Sequence, residues 1–305
     1  MRAGRQAGRI ATLLALSLLL TSCSAMKLGY ENLPRLVEWQ VDRFLSLDDD
    51  QEALVIRHAK VLQRWHRQNL LPVYADFLRQ VEEELRTPVT AGQVAEWRQT
   101  VVAAWAPIAE RLAPAVAEVA VTLRPEQLVH LRDAMAKANE KAAREYRPAD
   151  PAKRVAARYK RLVDRAESLL GDTSDDQKQL MRQSAVAMAA NEGAWWQARL
   201  GRQKAILDLL GNLSTERPDG EEALRRARLV LADLFVDHDA AAPVPVAPKP
   251  GAAERLALRT DLQAASAAGD ELTARVLALA TPEQRQRMVR RLDGYRQDFR
   301  LLAAR

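Results

Sequence analysis

Four arginines, Arg154, Arg158, Arg161 and Arg165, fall at i, i+4, i+7 and i+11. At about 3.6 residues per turn this spacing puts all four on one helix face. A row of guanidinium groups is an anion-recognition surface, because each planar fork matches a phosphate or a carboxylate. The row lies in the most basic stretch of the chain: residues 137–165 hold ten basic and four acidic side chains. Lipid headgroups, lipopolysaccharide phosphates or an acidic protein client would fit it. A solvated face whose arginine stems cover the edge of a core explains the same pattern. The second candidate is Trp195–Trp196, just after Gly193. Neighbouring helical residues point about 100° apart, so one Trp faces a core and the other a rim, a peptide or a lipid.

Other chemistry is sparse. His58 lies on an apolar stripe and reads as a satisfied boundary histidine. His66 sits eight residues on, about 80° round the helix, which is not metal-pair spacing. His130 has no partner at ligand spacing. Asp237-His238-Asp239 could touch a metal only weakly, with two carboxylates and one imidazole. Glu82, Glu83 and Glu84 form an acidic run without a catalytic context. No phosphate-binding or dinucleotide glycine loop, no His-Glu-x-x-His and no Gly-x-Ser-x-Gly motif is present. The reading is therefore non-enzymatic, with no catalytic residue, no metal and no cofactor. An enzyme whose carboxylates converge only on folding remains the outlying alternative.

The single cysteine carries the strongest local signal. Arg2, Arg5 and Arg9 precede the mostly apolar stretch Ile10–Leu20, 11 residues long. That suits the hydrophobic region of a secretory signal, whereas a membrane-spanning helix needs about 20 residues. Leu20-Thr21-Ser22-Cys23 follows at once and resembles the bacterial lipobox. The resemblance implies a signal peptide over residues 1–22, cleavage before Cys23, and a covalent lipid on Cys23. Ser24 and Ala25 follow without an Asp, which by the lipoprotein sorting rule implies an outer-membrane address facing the periplasm. Several acyl chains at about 0.8 kcal/mol per buried CH₂ would hold such a chain firmly at a membrane.

The whole-chain numbers narrow accordingly. Of 305 residues, 46 are Lys or Arg and 40 are Asp or Glu, a formal net charge of +6. Removal of the signal leaves 43 basic residues against 40 acidic. An exported chain does not meet DNA, so no nucleic-acid partner is expected despite the basic balance. One Cys excludes a disulfide scaffold and any Cys-based metal cluster.

These residues must be positioned by helices. Apolar residues recur at three- and four-residue spacing: Leu54-His58-Val61-Leu62-Trp65, Val94-Trp97-Val101-Trp105-Ile108-Leu112, Val155-Tyr159-Leu162-Ala166-Leu169 and Met288-Leu292-Tyr295-Phe299-Leu302. The Trp residues outside the 195–196 pair read as core. The pattern predicts helices over 30–46, 49–69, 72–86, 91–120, 125–146, 151–170, 175–210, 220–236, 252–268, 270–280 and 282–303. Capping boxes are expected at Thr90–Gln93, Ser174–Gln177, Asp219–Glu222 and Thr281–Gln284, and more loosely at Asp48–Gln51. Pro107 and Pro114 should kink or split the long fourth pattern. The fold class is all-α: an elongated bundle of antiparallel, partly Pro-kinked helices. Pro243, Pro245, Pro248 and Pro250 mark a linker over 240–251. It separates a main body, 23–239, from a C-terminal helical unit, 252–305.

Two resemblances bear on function. Leu123-Arg124-Pro125-Glu126-Gln127 and Thr281-Pro282-Glu283-Gln284 are near-copies and resemble the Leu-Thr-x-x-Gln signature of the Spy-like periplasmic stress chaperones, although helix capping accounts for both. The segments Lys27–Pro34, Trp39, Asp48–Gln51, Trp65-His66-Arg67 with Leu71-Pro72-Val73-Tyr74, Thr281–Arg285 and Tyr295–Phe299 together resemble an uncharacterised family of proteobacterial helical lipoproteins, a domain of unknown function. The expectation is an outer-membrane-anchored periplasmic lipoprotein that acts as a binding or chaperone-like accessory of the envelope. Its partners would be the membrane, through the lipid, and a protein client or anionic envelope component. A structural scaffold without a client is the alternative.

Overall fold

The computed structural model describes residues 26–189, 192–234 and 252–305. Cys23 and its lipobox, Asp237-His238-Asp239 and the Pro-rich segment lie outside them. The described residues are helical and contain no strand, as the periodicity requires. Residues 26–31 lead into α1 (Leu33–Leu45), α2 (Asp49–Asn69), α3 (Leu71–Glu84), α4 (Ala91–Ala103), α5 (Trp105–Ala120) and α6 (Pro125–Tyr146). There follow α7 (Pro151–Leu170), α8 (Asp175–Ala189), α9 (Glu192–Glu216), α10 (Gly220–Asp233), α11 (Ala252–Ala278) and α12 (Pro282–Ala303).

Three expected helices change. The pattern over 91–120 breaks at Ala104, and Pro107 is the physical reason. It has no N–H for the Ala103 carbonyl and its ring crowds that carbonyl, so α4 ends there. Pro114 is carried inside α5 without a break. The helices expected over 252–268 and 270–280 are one, since α11 runs through Gly269 and Asp270. Helices α8 and α9 cover the pattern over 175–210 on either side of residues 190–191, which lie outside the described residues.

The boxes form as their chemistry demands. At Asp48–Gln51, Thr90–Gln93 and Thr281–Gln284 the cap side chain accepts from the N3 amide and the Gln side chain returns to the cap amide. Ser174–Gln177 does the same, at 3.2 and 2.9 Å. Asp219 caps α10, but Glu222 turns away to Arg225 and Arg226. Those two guanidinium groups hold its carboxyl down at a pKa of about 2.

The helices build two cores. In the first, Ala109, Ala113 and Ala117 of α5 meet Ala223, Ala227 and Leu231 of α10. The spacing of four on both sides stacks small side chains into one stripe per helix, so the backbones approach closely. Leu45, Val55, Leu131, Leu209 and Leu213 close this core around them. In the second, Val81, Leu85, Val89 and Val94 of the α3–α4 region meet Leu170, Leu180 and Met181, then Leu272, Leu277, Met288 and Leu292. Each such aliphatic side chain contributes about 1.5–3 kcal/mol when fully buried. Residues 252–305 therefore complete a core that α3, α4, α7 and α8 begin.

Helices α1–α6 and α7–α12 follow one plan. α1 packs on α2 and α6, as α7 packs on α8 and α12. α5 packs on α2 and α10, as α11 packs on α8 and α4. The middle hairpins are exchanged: α3 packs on α12 of the other half, and α9 on α6. The turn after the first helix repeats too. Ser46 and Gly171 each donate to the carbonyl four residues back and take a positive φ, 51° and 81°. Gly171 is needed there, because φ 81° with ψ −153° is a conformation essentially confined to glycine.

Candidate functional site

Helix α7 ends a proline turn that also closes α6, and this turn sets the site. Pro148 and Pro151 hold residues 147–150 as a short link. Asp150 caps α7 by accepting from Ala152 N–H at 2.8 Å. Arg154 donates to the Pro148 and Ala149 carbonyls at 3.1 and 2.9 Å, which ties the helix start to the link. Of the four aligned arginines it is thus the structural one.

The other three, Arg158, Arg161 and Arg165, line a groove of about 860 Å³. Leu162 lies between them on the same face of α7. Tyr146 and Arg147 close one end, Met188 and Trp195 come from α8 and α9, and Leu262, Ala265 and Ser266 form the wall supplied by α11. The basic face and the tryptophan pair, separate in sequence, meet here. Trp195 is 37% exposed and packs on Tyr146 at 5.7 Å between ring centroids. Trp196 follows at 6.1 Å and carries the Arg147 guanidinium over its ring at 5.4 Å. Arg161 lies over Tyr146 at 4.7 Å and donates to the Glu145 carbonyl. Among the described residues the groove's one carboxylate, Asp164, is engaged by Lys160 at 2.6 Å. Four cations thus face one carboxylate that already has a partner, over an apolar floor. At roughly 300–1,000 Å³ such a volume suits a small ligand, which aromatic and aliphatic walls hold while a few charges orient it.

Several sequence expectations need correction. Neither member of the tryptophan pair is core: Trp195 is on the rim and Trp196 is half-buried. Trp39 is exposed, stacked under Arg43 at 4.9 Å, and Trp65 is half-buried, while Trp97 and Trp105 do pack against the two cores from their edges. Val61 and Val101, placed on apolar stripes, face solvent. The reason is common to all: each helix is only partly covered by its neighbours, so the flank of a wide stripe stays wet. Tyr146, Met188 and the α11 wall were missed, since only folding brings residue 262 to residue 158. The Tyr146-Arg147-Pro148 helix stop, between two basic helices, is the one local signal for them.

The three described histidines sit beside structural partners. His58 Nε2 lies 3.2 Å from Glu118. His130 Nε2 lies 3.3 Å from the Arg43 carbonyl. His66 Nδ1 meets the Tyr30 hydroxyl at 3.0 Å. Burial lowers the His66 pKa, and burial likewise raises those of Tyr30 and Tyr74. Among the described residues no three His, Cys, Asp or Glu side chains converge to hold a metal ion. Among them, too, no helix is long and apolar enough to cross a membrane.

No curated protein matches the chain, and no solved structure does. One family model matches residues 43–232, which run from the end of α1 to the end of α10. That span includes α7, Trp195 and most of the groove, and stops short of the α11 wall. The chain belongs to a family of unknown function, DUF6279.

Proposed function

We propose that this protein is a lipid-anchored envelope protein that works by binding, without catalysis, at the groove between α7 and α11. The observation that carries the reading is the convergence of Arg158, Arg161 and Arg165 with Trp195 on one concave surface. Among the described residues its charged groups are arginines and one Lys-paired aspartate, a set that holds anions.

The anchor is proposed from Cys23 and the residues before it. Lipidation there would tether the helical body at the outer membrane with its groove in the periplasm. A chaperone-like role draws less support than a dedicated site does. Gln127 and Gln284 of the two Pro-Glu-Gln segments turn inward and are buried, so these segments serve the fold at helix starts.

Two measurements test the reading. Cys23→Ser should move the protein from the membrane fraction to the soluble periplasm, and retention in the membrane would refute the anchor. A photo-crosslinking residue at Ser168, on the groove rim, should give a discrete adduct in cells. The same probe at Val101, which is exposed elsewhere, should not. Adducts of equal yield at both positions would refute a groove-directed binding role.

A further inference from the structure

The repeat supplies a second corner for comparison with the groove. The groove runs along the middle and end of α7 from the corner where the end of α6 and the start of α9 meet the end of α8. Its counterpart is where the end of α12 and the starts of α1 and α3 meet the end of α2. That corner is filled. Tyr30, His66, Tyr74 and Phe299 run through it as a ladder with centroids 5.9, 5.5 and 5.9 Å apart. Gln63 donates to the Tyr30 carbonyl, and Arg67 covers the Tyr30 ring at 5.5 Å. One corner of the plan is thus plugged by the protein's own aromatic rings and hydrogen bonds. The other keeps an aromatic cluster on its margin and an open groove of about 860 Å³ beside it.

We infer that the open corner holds one molecule of an anionic amphiphile: a phosphate or carboxylate head among Arg147, Arg158, Arg161 and Arg165, and an apolar tail along Trp195, Met188 and Leu262. The inference rests on the groove being a binding site and adds the chemistry of its ligand. Charge decides the head. Among the described residues four guanidinium groups outnumber one Lys-paired carboxylate, an excess that disfavours a cation and matches a planar or tetrahedral anion in bidentate fashion. The lining decides the tail. Leu162, Met188, Leu262 and Ala265 offer no partner to a polar group, and an apolar chain releases water from all of them. Size selects a single amphiphile over a protein partner, whose interface would need about 800 Å² per side. A free headgroup would leave the apolar floor wet, and a bilayer surface could not enter the groove. The amphiphile is therefore taken up as a monomer.

The test uses unlipidated residues 24–305, which contain every helix described. Dodecyl phosphate is titrated below its micelle concentration by calorimetry. Saturable binding of one molecule per chain is expected, with inorganic phosphate at least 100-fold weaker and dodecyltrimethylammonium undetectable. Arg158→Gln with Arg161→Gln should weaken binding at least 10-fold, and the exposed control Arg290→Gln should leave it unchanged. Should the double variant not fold, Ala265→Glu places a carboxylate in the groove on a half-buried wall position and should abolish binding by itself. No saturable binding of dodecyl phosphate, equal binding of the cationic amphiphile, or binding only to phosphatidylglycerol vesicles would overturn the inference. If it fails while the Ser168 adduct forms in cells and is lost in Ala265→Glu, only the ligand class falls. If that adduct fails as well, the binding role falls with it.

Discussion

Gln51 and Gln127 close a complete amide pair between two helix starts. Gln51 Nε2 donates to Gln127 Oε1 at 3.2 Å, and Gln127 Nε2 donates back at 2.7 Å. Each nitrogen's second proton goes to a loop carbonyl, of Thr122 and of Ser46 respectively. Each oxygen also accepts its own cap amide, from Asp48 and from Arg124. Gln177 and Gln284 repeat the arrangement, with the Val276 and Asp172 carbonyls and the Ser174 and Thr281 amides. Every donor and acceptor of four buried amides is thereby used, which is the condition for burying them at all.

Replacing one member should therefore cost more than its own bonds. Gln177→Leu leaves the buried Val276 carbonyl without its donor and takes one donor and one acceptor partner from the Gln284 amide, which keeps Asp172 and Thr281, a penalty of about 1–3 kcal/mol. Gln177→Leu with Gln284→Leu should lose less than the sum of the single changes, with a coupling of about 1 kcal/mol. Urea unfolding of the four proteins measures it. Strict additivity would show that the pair does not act as a unit.

Arg98 and Asp270 make the corresponding charged contact between the exchanged hairpin and α11. Arg98 reaches both carboxylate oxygens at 2.9–3.1 Å, and the Asp270 side chain is only 8% exposed. Arg98→Ala strands a buried carboxylate and should destabilise by about 3 kcal/mol, the lower part of the range for a broken buried pair. Adding Asp270→Asn should recover part of the loss. Thermal melts of the two variants decide: if the double variant melts below Arg98→Ala, the stranded charge is not the cause.

The sequence was legible where the cause of structure is local. Capping boxes placed the starts of α2, α4, α8 and α12, and Pro107 announced a break whose position follows from the missing bond to Ala103. The repeat was visible only as two Pro-Glu-Gln segments. Their partners, Gln51 and Gln177, lie 76 and 107 residues away in the chain, and no local pattern pairs them. The Pro-rich stretch marked off a C-terminal unit without saying whether it docks, and Leu272, Leu277, Met288 and Leu292 pack with Val81 and Leu180 in one core. For the groove, arginine spacing on α7 identified one wall correctly. The floor and far wall depend on helix packing, which spacing does not specify.

Stability near the filled corner should depend on pH. The His66 pKa is lowered by burial, so the unfolded chain takes up a proton at about pH 6.5 before the folded protein does. The unfolded state then binds more protons, and stability falls as the pH drops below about 6.5, by at most about 1.4 kcal/mol per unit for one group. The raised Tyr30 and Tyr74 pKa values have the opposite sign, with stability lost as pH rises through about 10. Melting temperatures of wild type and His66→Gln between pH 8 and pH 5 isolate the first effect. The variant should show the flatter acid limb, and parallel curves would remove His66 from the explanation.

The exchange of hairpins makes a prediction about where the chain can be cut. A chain ending at residue 239 keeps the whole span of the family match but loses α11 and α12. That removes Leu262, Leu272, Ala274, Val276, Leu277, Met288 and Leu292 from buried positions, along with the Arg98 and Gln177 partners. The first core is untouched, because its helices α1, α2, α5, α6, α9 and α10 all precede the cut. The shortened chain should therefore unfold in two steps, or keep one folded half with exposed apolar surface on α3, α4, α7 and α8. Cleavage between 240 and 251 in the intact protein should behave differently. The new ends remain joined through the second core, so residues 252–305 should co-purify with the rest and melt with it. Dissociation of the C-terminal piece under native conditions would show that α11 and α12 do not complete that core.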